Sequence, residues 1–167
     1  MKIISLIGYS GSGKTHFIVN ATRRLKNQFN YSIAVIKNVH KHQIDERGKD
    51  SYKFSEAGVS YSVIKNINNE IGIFFKCEFD IQELINWLLK GPLKIDLLFI
   101  EGFRNLTYPA ILCVKELTDI KSQLIKEVKL ISGKVNSKNV DDFSAIDIPI
   151  INLDKDFNIF LDVFHIS

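Results

Sequence analysis

The clearest chemistry in this chain lies near its amino end, where Gly8-Tyr9-Ser10-Gly11-Ser12-Gly13-Lys14-Thr15 satisfies the pattern G-x-x-x-x-G-K-[ST] at every position. Gly11 and Gly13 lack a Cβ, so consecutive amides can turn toward an anion, and Ser10 and Ser12 are too small to obstruct it. The helix predicted from Lys14 onward aims its positive end at the same place. In that setting Lys14 neutralises β- and γ-phosphates as a point charge, and the Thr15 hydroxyl is a ligand for Mg²⁺. The sequence therefore predicts a phosphate site made by Gly11, Ser12, Gly13, Lys14 and Thr15. A second signal is Leu97-Leu98-Phe99-Ile100-Glu101-Gly102-Phe103, an apolar strand that ends in a carboxylate and a glycine. Ligands of open parallel sheets gather at the carboxyl ends of strands, which makes Glu101 a candidate for the metal or for the water attacking a γ-phosphate. The competing reading is a carboxylate that caps a turn. Asp96 precedes the strand, at the wrong end for chemistry, and is read as structural.

A third set of residues, Lys37, His40, His42, Asp45, Arg47, Lys49 and Asp50, sits in or beside the polar stretch from Asn38 to Ser51. Long polar loops in compact domains are usually functional or disordered. Three readings stand: a switch loop ordered by triphosphate and released by diphosphate, a metal site of His40, His42 and Asp45, or a solvated connection. In the switch reading Asp50, near the start of the following helix, closes over the metal. Lys37 and His40, where the second strand gives way to the loop, reach phosphate.

These groups need a scaffold, and hydrophobic periodicity supplies one. Met1 to Ile7 is a β-branched run that stops at Gly8, and Phe17, Ile18, Ala21, Leu25 and Phe29 then recur at helical spacing. Tyr31–Ile36, Tyr61–Ile64, Ile71–Phe75, Leu97–Ile100, Ala110–Val114, Val128–Ile131 and Ile148–Leu153 are further predicted strands. Asp80 with Glu83 begins a helix ended by Gly91-Pro92, with Trp87 at or near its buried stripe. Phe157, Phe160, Leu161 and Phe164 make a final helical stripe. Strands alternating with helices predict an α/β fold of the P-loop NTPase kind, a mostly parallel twisted sheet with helices on both faces. The 132–142 stretch is polar and reads as a surface connection.

Composition narrows the function classes. With 167 residues, 46% hydrophobic and 25% charged, nine Gly and three Pro, the chain reads as one globular domain over 1–167. A net charge of +3 from 22 basic and 19 acidic residues, interspersed along the chain, does not provide the footprint of a nucleic-acid binder. No apolar run approaches the roughly 18 residues of a membrane span, and no cleavage pattern follows the first strand, so the expectation is a mature cytoplasmic protein. Cys77 and Cys113 lie in separate apolar segments and are expected as buried free thiols.

Taken together, the Gly8–Thr15 loop, Ile36-Lys37 with His40, Gly48-Lys49-Asp50-Ser51-Tyr52, Glu56-Ala57-Gly58 and Ile100-Glu101-Gly102-Phe103-Arg104 resemble the molybdopterin-guanine dinucleotide biosynthesis adapter proteins, the MobB family. The resemblance covers Met1 to Ile64 and Asp96 to Arg104 well. It implies a dimeric GTP-binding protein with weak Mg²⁺-dependent GTPase activity. It also implies partners: the guanylyltransferase that attaches GMP to molybdopterin, and other cofactor-assembly proteins. By position, Gly11 to Thr15 would hold phosphate and magnesium, and Asp50 and Glu101 would be the carboxylates for the metal and the attacking water. Lys37 and His40 fall on the family's Lys-x-x-His pattern. Two features depart from it: His16 stands where relatives often carry a second Thr, and no N-K-x-D guanine motif occurs. The rival reading is a small-molecule or nucleotide kinase. Such enzymes bring several lid arginines to the phosphoryl group, whereas the four here are Arg23 and Arg24 on the first helix, Arg47 and Arg104. A third reading is an adaptor that holds nucleotide as a structural ligand and hardly hydrolyses it.

Overall fold

The computed structural model describes residues 1–134 and 147–167. In chain order the elements are β1 (Lys2–Ile7), α1 (Lys14–Phe29), β2 (Ile33–Lys37), α2 (Asp50–Glu56), β3 (Ser62–Lys65), β4 (Ile71–Phe74), α3 (Ile81–Leu89), β5 (Leu97–Glu101), β6 (Ala110–Val114), α4 (Asp119–Gln123), β7 (Val128–Gly133) and α5 (Phe157–Val163). They fall into two compact units, Met1–Asn38 with Leu93–Ser167, and the intervening Val39–Pro92.

The first unit is a five-stranded sheet in the order β2-β5-β1-β6-β7, parallel throughout. Every residue of β5 and β6 is buried, as strands covered on both faces must be. Successive side chains point to opposite faces. Ile4, Leu6, Phe99 and Ile111 accordingly pack with Phe17, Ala21 and Leu25 of α1 and Phe157 and Phe160 of α5, while Ile7, Leu112 and Val114 join Ile120 of α4 in a second cluster. Helices thus cover both faces, as the alternation of elements predicted. The register sets Lys37 beside Glu101 and Glu101 beside Leu6, so the carboxyl ends of β1, β2 and β5 lie in one row.

Three expectations for this unit need adjustment. The predicted strand Ile148–Leu153 amounts to one bridge between Ile131 and Ile150. Pro149 has no N–H to donate, and Asn152 turns the chain away, its carbonyl accepting from Lys155 N and Asp156 N. The β2 strand begins at Ile33 rather than Tyr31, because the Ser32 backbone is engaged with Asp96: Ser32 N donates to the Asp96 carboxylate at 2.9 Å, and Asp96 N donates to Ser32 O at 2.8 Å. Asp96 is therefore structural, as expected. Helix α4 was not predicted, since five residues are too few to show a period. The 132–142 surface connection lies, beyond Lys134, outside the described residues.

In the second unit β3 and β4 pair antiparallel around the Asn66 turn, whose side-chain carbonyl accepts from Asn68 N and Glu70 N at 2.9 and 3.0 Å. These two strands form a sheet of their own. Helix α3 opens with a reciprocal capping box between Asp80 and Glu83. Its Trp87 stands edge-on to Phe75 and is partly exposed, the core-edge position predicted for it. Cys113 is buried as expected, but Cys77 is exposed. Its segment leaves β4 and continues between the charged Lys76 and Glu78 without joining a strand. Among the described residues no helix is long and apolar enough to cross a membrane.

Candidate functional site

Helix α1 begins without a cap. Gly13, at φ +102°, occupies the N-cap position, no side chain bonds to the first turn, and that turn carries no acidic residue. Helix N-termini have orphan N–H donors and a partial positive charge, so an uncapped start reached through a glycine loop is an anion site by construction. Two glycines hold the loop against the sheet. A Cβ on Gly8, at φ +140°, would lie 2.1 Å from the Cys113 carbonyl oxygen, and one on Gly133, at φ +119°, would lie 2.4 Å from Val114 O and 2.6 Å from Ser12 O. Backbone thus presses on backbone where side chains cannot fit. Ser12 is buried, and its hydroxyl has no hydrogen-bond partner among the described residues. Lys14 curls over its own loop, its ammonium donating to Gly8 O and Tyr9 O at 2.9 Å each. Burial holds its pKa below the ordinary lysine value, with Glu101 opposing that shift and Lys37 and Arg104 adding to it.

Beside the loop, the sheet register brings three predicted residues together. The Thr15 hydroxyl lies 3.0 and 3.1 Å from the two carboxylate oxygens of Glu101. Lys37 Nζ lies 3.0 Å from Thr15 Oγ1 and 3.2 Å from Glu101 Oε1. Glu101 is only 6% exposed, and a buried carboxylate requires a compensating positive charge. The Lys37 ammonium supplies it, standing where hydroxyl and carboxylate converge. Those hard oxygen donors also fit Mg²⁺, which takes one or two protein ligands and completes its shell with water and phosphate.

Gly11 to Thr15, Lys37 and Glu101 all belong to the first unit. The other two predicted site residues, His40 and Asp50, belong to Val39–Pro92. His40 is exposed; Asp50 opens α2, and its carboxylate pairs with Lys53 at 3.1 Å. Asp45 accepts the Ser51 hydroxyl at 2.9 Å. His40, His42 and Asp45 do not gather, since among the described residues no group of three or more His, Cys, Asp or Glu side chains is placed to hold a metal. His16 faces solvent, paired with Asn20 at 3.0 Å. Arg104 is engaged by Gln123 at 2.6 Å and lies 5.7 Å above the Tyr9 ring.

Sequence reasoning missed Gly133 and Lys115. The signal for Gly133 was a glycine closing an apolar strand. Lys115 directly follows β6, and its Cε and Nζ come within 3.3 and 3.4 Å of where a Gly11 Cβ would stand. A basic residue at the carboxyl end of a buried strand could have pointed to it. Cys113 beneath the loop is inert: burial pushes its thiol up to about 12.

The family model described as molybdopterin guanine dinucleotide synthesis protein B, MobB, matches residues 3–133. The chain belongs to the MobB family. A putative molybdopterin-guanine dinucleotide biosynthesis adapter protein of Methanocaldococcus jannaschii is 27% identical over 157 residues, covering 93% of this chain and 58% of that protein. The molybdopterin-guanine dinucleotide biosynthesis adapter protein of Haemophilus influenzae is 31% identical over 116 residues, 66% of this chain and 61% of that protein. The chain thus spans about three-fifths of the length of these two relatives. Among solved structures, Bacillus subtilis MobB superposes with a TM-score of 0.77 at 20% identity and full coverage of both chains. A MobB homologue from Bacillus stearothermophilus gives 0.68 at 15% identity over 98% of each. Those likenesses show that the MobB fold is shared.

Proposed function

We propose that this MobB-family chain binds GTP with Mg²⁺ on the Gly8–Thr15 loop, hydrolyses it slowly, and serves as an adapter in molybdopterin-guanine dinucleotide biosynthesis. Its partners in that role are the molybdenum cofactor guanylyltransferase, other cofactor-assembly proteins and a second copy of the chain. The observation that carries the nucleotide reading is the convergence of Thr15, Lys37 and Glu101 beside an uncapped helix start. The adapter role comes from the relatives, which carry that description.

The residues divide the work. The amides of the loop and of the first turn of α1 bind the phosphates, and Lys14 leaves the carbonyls of Gly8 and Tyr9 for the β- and γ-phosphate oxygens. Thr15 and Glu101 hold Mg²⁺, which when bound supplies the charge that neutralises phosphate oxygens. Glu101 accepts a hydrogen bond from the attacking water and orients it. Lys37, freed from Glu101, pairs with phosphate. Arg104, the one arginine of the first unit outside α1, is held by Gln123, which fits a slow rate. Calorimetric titration with GTP and ATP, with and without Mg²⁺, tests the reading. Mg²⁺-dependent binding that favours GTP is expected, and no binding of either nucleotide overturns it.

A further inference from the structure

A cavity opens from the phosphate loop itself. About 100 Å³ in volume, it begins at Gly13 and runs between the start of α1, at His16 and Asn20, and the far wall formed by Gly133, Asn152 and Asp154. Phe17 and Leu153, both buried, provide apolar lining. Gly13 belongs both to the phosphate loop and to this cleft, so a nucleotide whose phosphates sit on Gly8–Thr15 can extend along it. The cleft has the composition of a ring-binding slot: apolar side chains for the faces and a few polar groups for one edge.

The Asn152–Asp154 turn is held firmly. Asn152 Oδ1 accepts from Asp154 N at 3.0 Å, Asn152 N donates to an Asp156 carboxylate oxygen at 2.9 Å, and Arg24 Nη1 donates to Leu153 O and Asp154 O at 2.8 and 3.1 Å. Arg24 is itself anchored 4.2 Å above the Phe157 ring. Every carbonyl and amide of the turn named here is thus engaged, whereas the Asp154 carboxylate has neither an ion-pair nor a hydrogen-bond partner among the described residues. It stands at the cleft on a backbone that is already fixed.

We infer that this cleft receives the base of the bound nucleotide and that the Asp154 carboxylate selects guanine by accepting its two adjacent donors, N1–H and the 2-amino group. A carboxylate has two acceptor oxygens and no donor, which matches that edge. Adenine presents one donor beside the N1 lone pair and is refused. The assignment rests on the GTP-binding reading above and provides the base recognition that the missing N-K-x-D motif leaves open. A site built to pair a polar group discriminates strongly against the analogue that lacks it.

The test is binding of GTP, ITP, XTP and inorganic tripolyphosphate, each with Mg²⁺, to the full chain and to its Asp154→Asn variant. Inosine lacks the 2-amino group, so the parent should bind ITP at least tenfold more weakly than GTP. The variant should lose at least tenfold in GTP affinity and gain in XTP affinity, because an amide pairs with the 2-carbonyl of xanthine. Tripolyphosphate, which has no base, should bind both proteins equally and reports that the variant is folded. Equal preference of parent and variant for GTP over XTP, with tripolyphosphate still bound, overturns the role of Asp154 alone. Failure of the parent to bind any of the four probes overturns the phosphate-loop reading and this inference with it.

Discussion

Two helix starts in this chain are built in opposite ways. Helix α3 is closed by its own sequence: Asp80 accepts from Glu83 N and Glu83 accepts from Asp80 N, both at 2.8 Å. Helix α1 has glycine at the N-cap, no side-chain cap and no acid in its first turn. A capping residue is worth about 1 kcal/mol, so leaving α1 bare forgoes that stability and keeps its amides for a ligand. The same contrast separates Glu101 from Asp50. Glu101 is buried beside partners drawn from two other elements, Thr15 of α1 and Lys37 of β2, whereas Asp50 is solvent-facing on α2 and paired one turn along its own helix. Stability is satisfied locally at one end and deferred to a ligand at the other.

The largest effect expected is on the bare end. Lys14→Ala should weaken GTP binding at least tenfold, since losing a charge-assisted contact costs roughly 1.5–3 kcal/mol. Its melting temperature should change by no more than about 3 °C, or about 1 kcal/mol in a chain of this size, because the Lys14 ammonium bonds only to the Gly8 and Tyr9 carbonyls of its own loop. A variant that unfolds would show that α1 depends on this lysine, and the contrast would fail.

Next in size is Glu101→Gln, which keeps the shape of the side chain and removes its charge. GTP hydrolysis should fall by roughly 100-fold or more, and GTP affinity by clearly less than that, because the amide keeps an oxygen ligand while removing the charge. Turnover at the parent rate would make Glu101 a structural residue, however well it is placed.

The 38–51 segment sharpens the contrast further. It is polar and mostly exposed, so little apolar burial offsets the roughly 1–2 kcal/mol per residue required to fix it. Hydrogen exchange there should slow with a non-hydrolysable GTP analogue and Mg²⁺, and not with GDP. Equal protection with both, or with neither, removes the switch.

The smallest effect belongs to the closed end. Asp80→Ala should destabilise the chain by about 0.5–2 kcal/mol in urea unfolding and leave GTP affinity unchanged. A loss of affinity would mean that the two ends are not independent.

Much of this is legible in the amino-acid sequence itself. The phosphate loop could be read because its chemistry is local: glycines, a lysine and a threonine at fixed spacing on a strand-to-helix turn. The parallel α/β class followed from periodicity, and the Asp80–Glu83 capping box from two residues three apart. Other features were set by partners distant in sequence. Thr15 and Glu101 meet across 86 positions, and only the β1–β5 register brings them together. Gly133 reads as an ordinary strand end until Ser12 and Val114 are seen against it. Ile148–Leu153 has the composition of a strand, yet Pro149 and the Asn152 turn reduce it to one bridge. Cys77 and Cys113 look alike in sequence and differ in burial. Composition and spacing act over a few residues and fix what each segment can become; which segments then share a site depends on strand order and register, and those are decided by burying the whole sheet at once.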